Sequence, residues 1–219
     1  MARIAPRATT PTQTSIAGLR STVPPTETRT LCTELIRWEG GCQHLYVDKY
    51  GNVATAVGHR LPNADAAIAL PWRHRGTGVA ATPSEISAAF EQVRAQGPGH
   101  KSIAYRFASD LVLAAGVAVD LVATRVQREF LPGLRRLCPN FDRCPLPARR
   151  ALVDMAYDLG VVGLAKFRIL IAACKRGDFA TAAEHCHRRM TRGIRNVATR
   201  NLFREAADLS LSVQPPATR

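Results

Sequence analysis

The chain has 219 residues, 46% of them hydrophobic and 21% charged, the balance of a folded globular protein. One large domain, or one domain with appendages, is expected at about 150 residues per domain. No stretch approaches the roughly 18 consecutive apolar residues of a membrane span, which excludes a transmembrane protein, while 30 Lys and Arg against 17 Asp and Glu leave a formal net charge of +13 that attracts polyanions.

In chain order, residues 1–28 are rich in Thr, Pro, Ala and Arg without periodicity and read as a disordered arm. The folded domain is expected over 29–210, with a second disordered tail over 211–219. Leu31, Leu35 and Ile36 recur at helical spacing ahead of Gly41 and predict a helix over 29–39. Leu45 to Arg60 holds β-branched and aromatic residues on either side of Tyr50-Gly51, the pattern of a short hairpin. Thr82-Pro83-Ser84-Glu85 combines an N-cap, a proline at the first helical position and a glutamate three residues after the cap, opening a helix to Gln96.

Further helices are predicted over Val117–Phe130 and over Pro147–Leu159, the latter closed by Gly160. Leu164, Phe167, Ile171 and Cys174 form another apolar stripe, ended by Gly177. Asp178 then caps a helix to Met190, and a last helix covers Asn196–Leu209. Phe167, Phe179 and Phe203 fall in these stripes and are assigned to the core. The fold class is therefore α+β and mainly α-helical: a small hairpin lobe, then a larger helical lobe, with a cleft between them where a ligand would lie.

Six cysteines, none in a Cys-x-x-Cys pair, argue against a zinc ribbon or a thioredoxin motif. Their even number leaves two states open, up to three bridges in an oxidising compartment or buried free thiols. The first thirty residues lack the apolar core of about 7 to 15 residues that marks a secretory signal.

Two carboxylates carry the functional argument. Glu39 continues the apolar row of Leu31 and Leu35 and lies in the last helical turn, where the helix dipole disfavours negative charge; a partly desolvated carboxyl is what a general acid requires. Nine residues on, Asp48 sits at the hairpin turn, where solvent favours the carboxylate. Carboxyls in such different environments can divide the acid and base roles of glycoside hydrolysis.

Trp38-Glu39-Gly40, Leu45-Tyr46-x-Asp48-x-x-Gly51 and Val57-Gly58-His59 together resemble the signature of the phage-type lysozymes, glycoside hydrolase family 24. The likeness continues through Pro139-Asn140-Phe141-Asp142, Ala151 to Gly160, Gly163-Leu164-x-x-Phe167, Ala182-Ala183, Arg188-Arg189 and Arg195-Asn196, covering residues 30 to 209. It implies a lysozyme-like two-lobed fold and a muramidase that cleaves the β-1,4 bond between N-acetylmuramic acid and N-acetylglucosamine in peptidoglycan, with no metal or cofactor. By that likeness Glu39 protonates the glycosidic oxygen and Asp48 activates the attacking water. Arg195 pairs with the catalytic glutamate and His59 braces the hairpin lobe. Arg60, Tyr157, Asp158 and His185 line the sugar groove.

The sequence departs from the family at the threonine that holds the water. Three residues after Gly51 stands Ala54, with Thr55 beside it. Strand alternation puts Thr55 on the face of Val53 and Val57, away from the cleft, unless a bulge in the turn swings it round. Thr55 is therefore the candidate water ligand in one register only. In the other, one hydrogen bond to the nucleophile is lost, slowing the enzyme by a factor of roughly 10 to 1,000.

Single displacement with inversion would need the Glu39 and Asp48 carboxyls roughly 6.5 to 9.5 Å apart. The segment Leu61 to Trp72 is similar to lysozyme-type toxin domains delivered by type VI secretion; a holin-released phage endolysin is the other route to the periplasm or wall without a signal. The partners implied are peptidoglycan and an immunity or inhibitor protein, with the chain itself a monomer. Two rivals stay open: a wall-binding module on the same fold without turnover, and a lytic transglycosylase, which needs an acid and no water. The basic run Arg188, Arg189, Arg192, Arg195, Arg200 and Arg204 fits a solvated face or a grip on anionic wall polymer, and lacks a nucleic-acid recognition motif. His185, Cys186 and His187 are adjacent on a predicted helix and point about 100° apart, so they do not converge on a metal.

Overall fold

The computed structural model describes residues 26–39 and 41–213. The fold is α+β and mainly helical, with two small antiparallel sheets. No helix among the described residues is long and apolar enough to cross a membrane.

Helix α1 (Thr26–Glu39) begins three residues before the predicted start. Thr28 is buried there and Arg29 Nη2 meets Asp120 Oδ1 at 2.8 Å, which anchors the first turn. Leu31 and Leu35 form its buried face. Residues 1–25 of the predicted arm lie outside the described residues, as do 214–219 of the predicted tail; residues 211–213 finish the last helix.

The predicted hairpin is strands β1 (Cys42–Val47) and β2 (Val53–Ala56), extended by β3 (His59–Arg60) into a three-stranded sheet. The turn closes through Asp48 N to Asn52 O at 2.8 Å, and Gly51 supplies its positive φ of 86°. Tyr46 pairs with Ala54 and Val47 with Val53, yet Cys42 pairs with Ala56. Four residues of β1 thus span two of β2. The irregularity lies in β1, not in the turn, so Thr55 is not swung outward.

The lobe is larger than a hairpin. After a short helix, α2 (Ala64–Ile68), strands β4 (Trp72–His74) and β5 (Leu111–Leu113) make a second sheet, with α3 (Pro83–Ala95) between them. Helix α3 starts as predicted. Thr82 Oγ1 accepts from Glu85 N, Glu85 Oε2 accepts from Thr82 N at 2.7 Å, and Pro83 opens the first turn. Such a cap is worth about 1 kcal/mol. Ile86, Ala89, Phe90 and Val93 are the buried row, packed with Leu45, Val47, Trp72, Tyr105 and Leu113 in one continuous core. Burial of the Trp72 ring is made tolerable by its indole N–H, which donates to Ala67 O at 2.8 Å.

A second core fills the helical half. It is built on α4 (Val117–Arg125), a π-turn at Val126–Phe130, α5 (Leu131–Leu137), α6 (Leu146–Ala165), α7 (Arg168–Arg176), α8 (Phe179–Glu184) and α9 (Gly193–Val213). Gly160, at φ 70° and ψ 160°, breaks α6 where the sequence predicts its end. Phe179 and Phe203 are buried here, and Phe167 packs against the same core. Leu164 stays on α6 and Phe167 is the cap residue of α7, so the stripe from 164 to 174 runs over two elements.

Helix α8 is capped by Asp178, which accepts from Thr181 N at 3.0 Å, but it stops at Glu184 rather than at Met190. The chain leaves the helix so that Arg188 can turn inward. Its backbone N–H donates to Asn196 Oδ1 at 3.1 Å and its guanidinium is buried. All six cysteines are buried free thiols, which resolves the open alternative against bridges. Burial pushes Cys42 up to about 11 and Cys32 up to about 12, so both remain protonated at neutral pH.

Candidate functional site

Between the two cores lies a cleft of about 540 Å³. Glu39 enters it from the end of α1, Arg125 from α4 and Tyr157 from α6; Tyr46, Lys49, Tyr50 and Gly58 come from the sheet side. Glu39 is the one carboxyl in this lining. Aromatic rings with a few polar groups are what a sugar face needs, because apolar C–H faces pack on rings while hydroxyls take hydrogen bonds.

Glu39 is not sealed among apolar side chains as its row position suggests: 30% of its side chain is exposed. Leu31 and Leu35 are buried, but the helix ends at Glu39, and the carboxyl projects past the core to a charged partner. Arg195 Nη1 donates to Glu39 Oε1 at 2.5 Å, and Arg195 Nε donates to Asp154 Oδ1 at 2.9 Å. Asp154 in turn accepts from Arg188 Nη2 at 2.9 Å and from Thr199 Oγ1 at 3.0 Å, and Arg188 Nη1 reaches Asp158 Oδ2 at 3.0 Å. The network holds two guanidinium groups and three carboxyls. Arg195 bridges Glu39 and Asp154, and Arg188 bridges Asp154 and Asp158.

This network corrects the reading of the basic run. Arg188 is 2% exposed and Arg195 7% exposed, so neither belongs to a solvated face; both are buried because Asp154 on α6 supplies a buried partner. Arg189, Arg192, Arg200 and Arg204 remain exposed.

Asp48 is fixed inside its own turn. It accepts from Tyr50 N at 2.8 Å, Asn52 N at 2.9 Å, the Asn52 amide, and Arg60 Nε at 3.1 Å. Partial burial pushes its carboxyl up, but the hydrogen bonds from Asn52 and Tyr50 together with the charge of Arg60 outweigh it and hold Asp48 below the usual aspartate range. Its neighbours Lys49 and Tyr50 line the cleft, and Asp48 itself stands behind them. Arg60 lies 5.4 Å from the Tyr50 ring, so it braces this wall of the cleft.

Thr55 does not reach the cleft. It is fully buried, with Oγ1 3.2 Å from His44 O and 3.4 Å from Cys42 O, the carbonyls brought into reach by the irregular stretch of β1. Ala54 is buried too. The next residue, Ala56, has a φ of 49° and lines the cleft, where the chain turns toward Gly58.

The remaining groove candidates divide. Tyr157 donates to Val57 O at 2.9 Å, receives Arg125 Nη1 at 3.4 Å, and lines the cleft as expected. Asp158 is turned the other way, held by Arg188 and by Thr191 Oγ1 at 2.6 Å. His185 lies with Lys166, Phe167 and Arg168 around a separate depression, where the end of α8 carries it away from Glu39. His59 is half-buried; desolvation and the nearby charge of Arg125 lower its proton affinity and keep it neutral. Asp154, Arg125, Tyr46 and Tyr50 are site residues that the sequence reading missed. No group of three or more His, Cys, Asp or Glu among the described residues is arranged to hold a metal ion. No family model, curated protein or solved structure matches the chain, so the chemistry of the site has to be read from these residues alone.

Proposed function

We propose that the protein is a peptidoglycan-cleaving glycosidase on a lysozyme-like two-lobed fold, acting on the β-1,4 bond between N-acetylmuramic acid and N-acetylglucosamine. The observation that carries this reading is Glu39: the sole carboxyl in the lining of a sugar-sized aromatic cleft, oriented by Arg195. In the protonated form Glu39 delivers its proton to the glycosidic oxygen as the bond from that oxygen to the sugar C1 breaks. Asp48, whose ionised form is favoured behind the Lys49 and Tyr50 wall, contributes its negative charge to this side of the cleft from a distance and not by contact with the sugar. Water then attacks C1 from the opposite face and releases its proton to solvent, giving an inverted product. The resemblance of the segments around Glu39, Asp48 and His59 to the phage-type lysozymes supports the same assignment, and the excess of basic residues suits an anionic wall.

A second reading is favoured by Thr55 and Ala54. The hydroxyl of Thr55 is occupied by carbonyls of β1 and Ala54 has none, so neither holds a nucleophilic water. In a lytic transglycosylase the muramic acid C6 hydroxyl attacks C1 of its own ring, its proton leaves to a base, and Glu39 protonates the departing oxygen; no water is consumed. Digestion of purified peptidoglycan with mass analysis separates the two: a new reducing end means hydrolysis, a 1,6-anhydro ring means transglycosylation, and intact glycan with retained binding means a wall-binding module. Glu39→Gln is expected to abolish either product; undiminished cleavage would remove Glu39 from its role. Delivery between cells and an inhibitor seated in the cleft are proposed on the family likeness alone.

A further inference from the structure

A second cavity of about 610 Å³ adjoins the cleft, and Cys42 and Ser102 line both. This annex therefore lies next to any polymer bound in the cleft. Its chemistry is different. Arg75 and Arg106 line it with His44, and no acidic residue does. Among the described residues neither guanidinium forms an ion pair with a carboxylate. Arg75 Nη2 donates to Arg106 O at 2.9 Å, while Arg75 Nε is buried without a hydrogen-bond partner. An enclosed guanidinium N–H left unpaired is costly unless a ligand satisfies it. His44 adds no counter-charge: its Nε2 lies 2.9 Å from Ser102 O, and burial lowers its proton affinity, so it stays neutral.

We infer that this annex binds the carboxylates of the peptide stems that branch from the glycan. The inference rests on the proposed glycan reading of the cleft. A neutral sugar has no use for two uncompensated cations, whereas a stem peptide leaves the muramic acid residue sideways and carries free carboxylates within a few bonds. Guanidinium groups suit that partner because they meet a carboxylate through two parallel N–H bonds. The annex therefore selects wall glycan over unbranched sugar polymers, and stems with free acids over amidated ones.

The test measures calorimetric binding to the full chain carrying Glu39→Gln, so that the glycan is not consumed. Four probes are compared: a glycan oligomer with free-acid stems, the same oligomer with amidated stems, the oligomer stripped of peptide, and a glycerol phosphate polymer. Free-acid stems are expected to bind about tenfold more tightly than amidated stems. The gap should narrow as salt rises and close to about one when Arg106→Gln is added; Arg106 is exposed, so this change leaves the fold intact. Arg75→Gln should close it likewise. Equal binding of free-acid, amidated and stripped glycans overturns the annex assignment and leaves the cleft reading standing. So does a gap that survives Arg106→Gln. Binding of the glycerol phosphate polymer that Arg106→Gln abolishes, with stem acids making no difference, gives the annex to phosphate and also overturns it. Failure of every glycan to bind takes down the cleft reading and the annex with it.

Discussion

Arg195 Nη1 and Glu39 Oε1 lie 2.5 Å apart although 156 positions separate the residues in sequence. The contact joins the end of the first helix to the start of the last, and Asp154 on the far side of Arg195 makes it part of a buried chain of charges. Orientation of the proposed acid is thus a property of the whole helical core, not of the last turn of α1 alone.

Breaking that chain is expected to cost stability in proportion to what is left unpaired. Arg195→Met removes one of the two cations facing Asp154, and should destabilise the fold by about 3–5 kcal/mol in urea unfolding at pH 7. Glu39→Gln, at the exposed end, should change stability by less than about 1 kcal/mol while lowering glycan cleavage at least about a hundredfold. An Arg195→Met protein as stable as the parent would show that the network is not stabilising.

Thr55 provides a clean discrimination between structure and catalysis. Thr55→Val keeps the shape and leaves the β1 carbonyls without their hydroxyl, so a loss of about 1–2 kcal/mol is expected. Cleavage rate per folded molecule should stay within about threefold of the parent. A rate falling by a factor of ten or more at unchanged fold would place the hydroxyl at the reacting water after all.

The turn around Asp48 sets a pH dependence. Its carboxyl titrates below the ordinary aspartate range because Asn52, Tyr50 and Arg60 stabilise the ionised form against partial burial. A group lowered in this way adds stability above its unfolded pKa of about 4, and that stability is lost as pH falls through the folded value. Asp48→Asn should therefore be less stable than the parent at pH 7, with the difference lost as pH falls through the lowered value of the folded state. Thermal melts across that range check the sign, and a constant difference at all pH values would refute it.

Thiol chemistry gives a fourth readout. All six cysteines are buried and free, so an aromatic disulfide reagent at pH 7.5 should titrate none of them in the native protein and six after unfolding. Cys174, which burial pushes up to about 12, should be among the slowest to react. Fewer than six thiols after unfolding without reductant would mean that bridges form.

The elements with local signals were legible: the capping box at Thr82 and Glu85, the glycine breaks at Gly160 and Gly177, and the turn at Asp48 to Asn52 all stand where the sequence puts them. The second sheet was not, because β4 and β5 are three residues each and their pairing joins segments some forty positions apart. Arg188 and Arg195 were legible as charges and illegible as buried ones, since a lone acidic residue in the apolar run Ala151 to Ala156 was the only hint of their partner. Asp158 and His185 were misplaced for different reasons: Arg188 and Thr191 hold Asp158 away from the cleft, and the early end of α8 carries His185 to a separate depression. Arg75 and Arg106 carried no pattern at all, and tertiary folding alone brings them together.

The hydrogen bond from Tyr157 to the carbonyl of Val57 spans the floor of the cleft from one half of the molecule to the other. It works as a clasp at the base of the cleft, where Val57 also packs its side chain into the helical core. Tyr157→Phe would unfasten it without removing the ring, and the width of the gap, rather than the chemistry at its centre, is what such a change would alter.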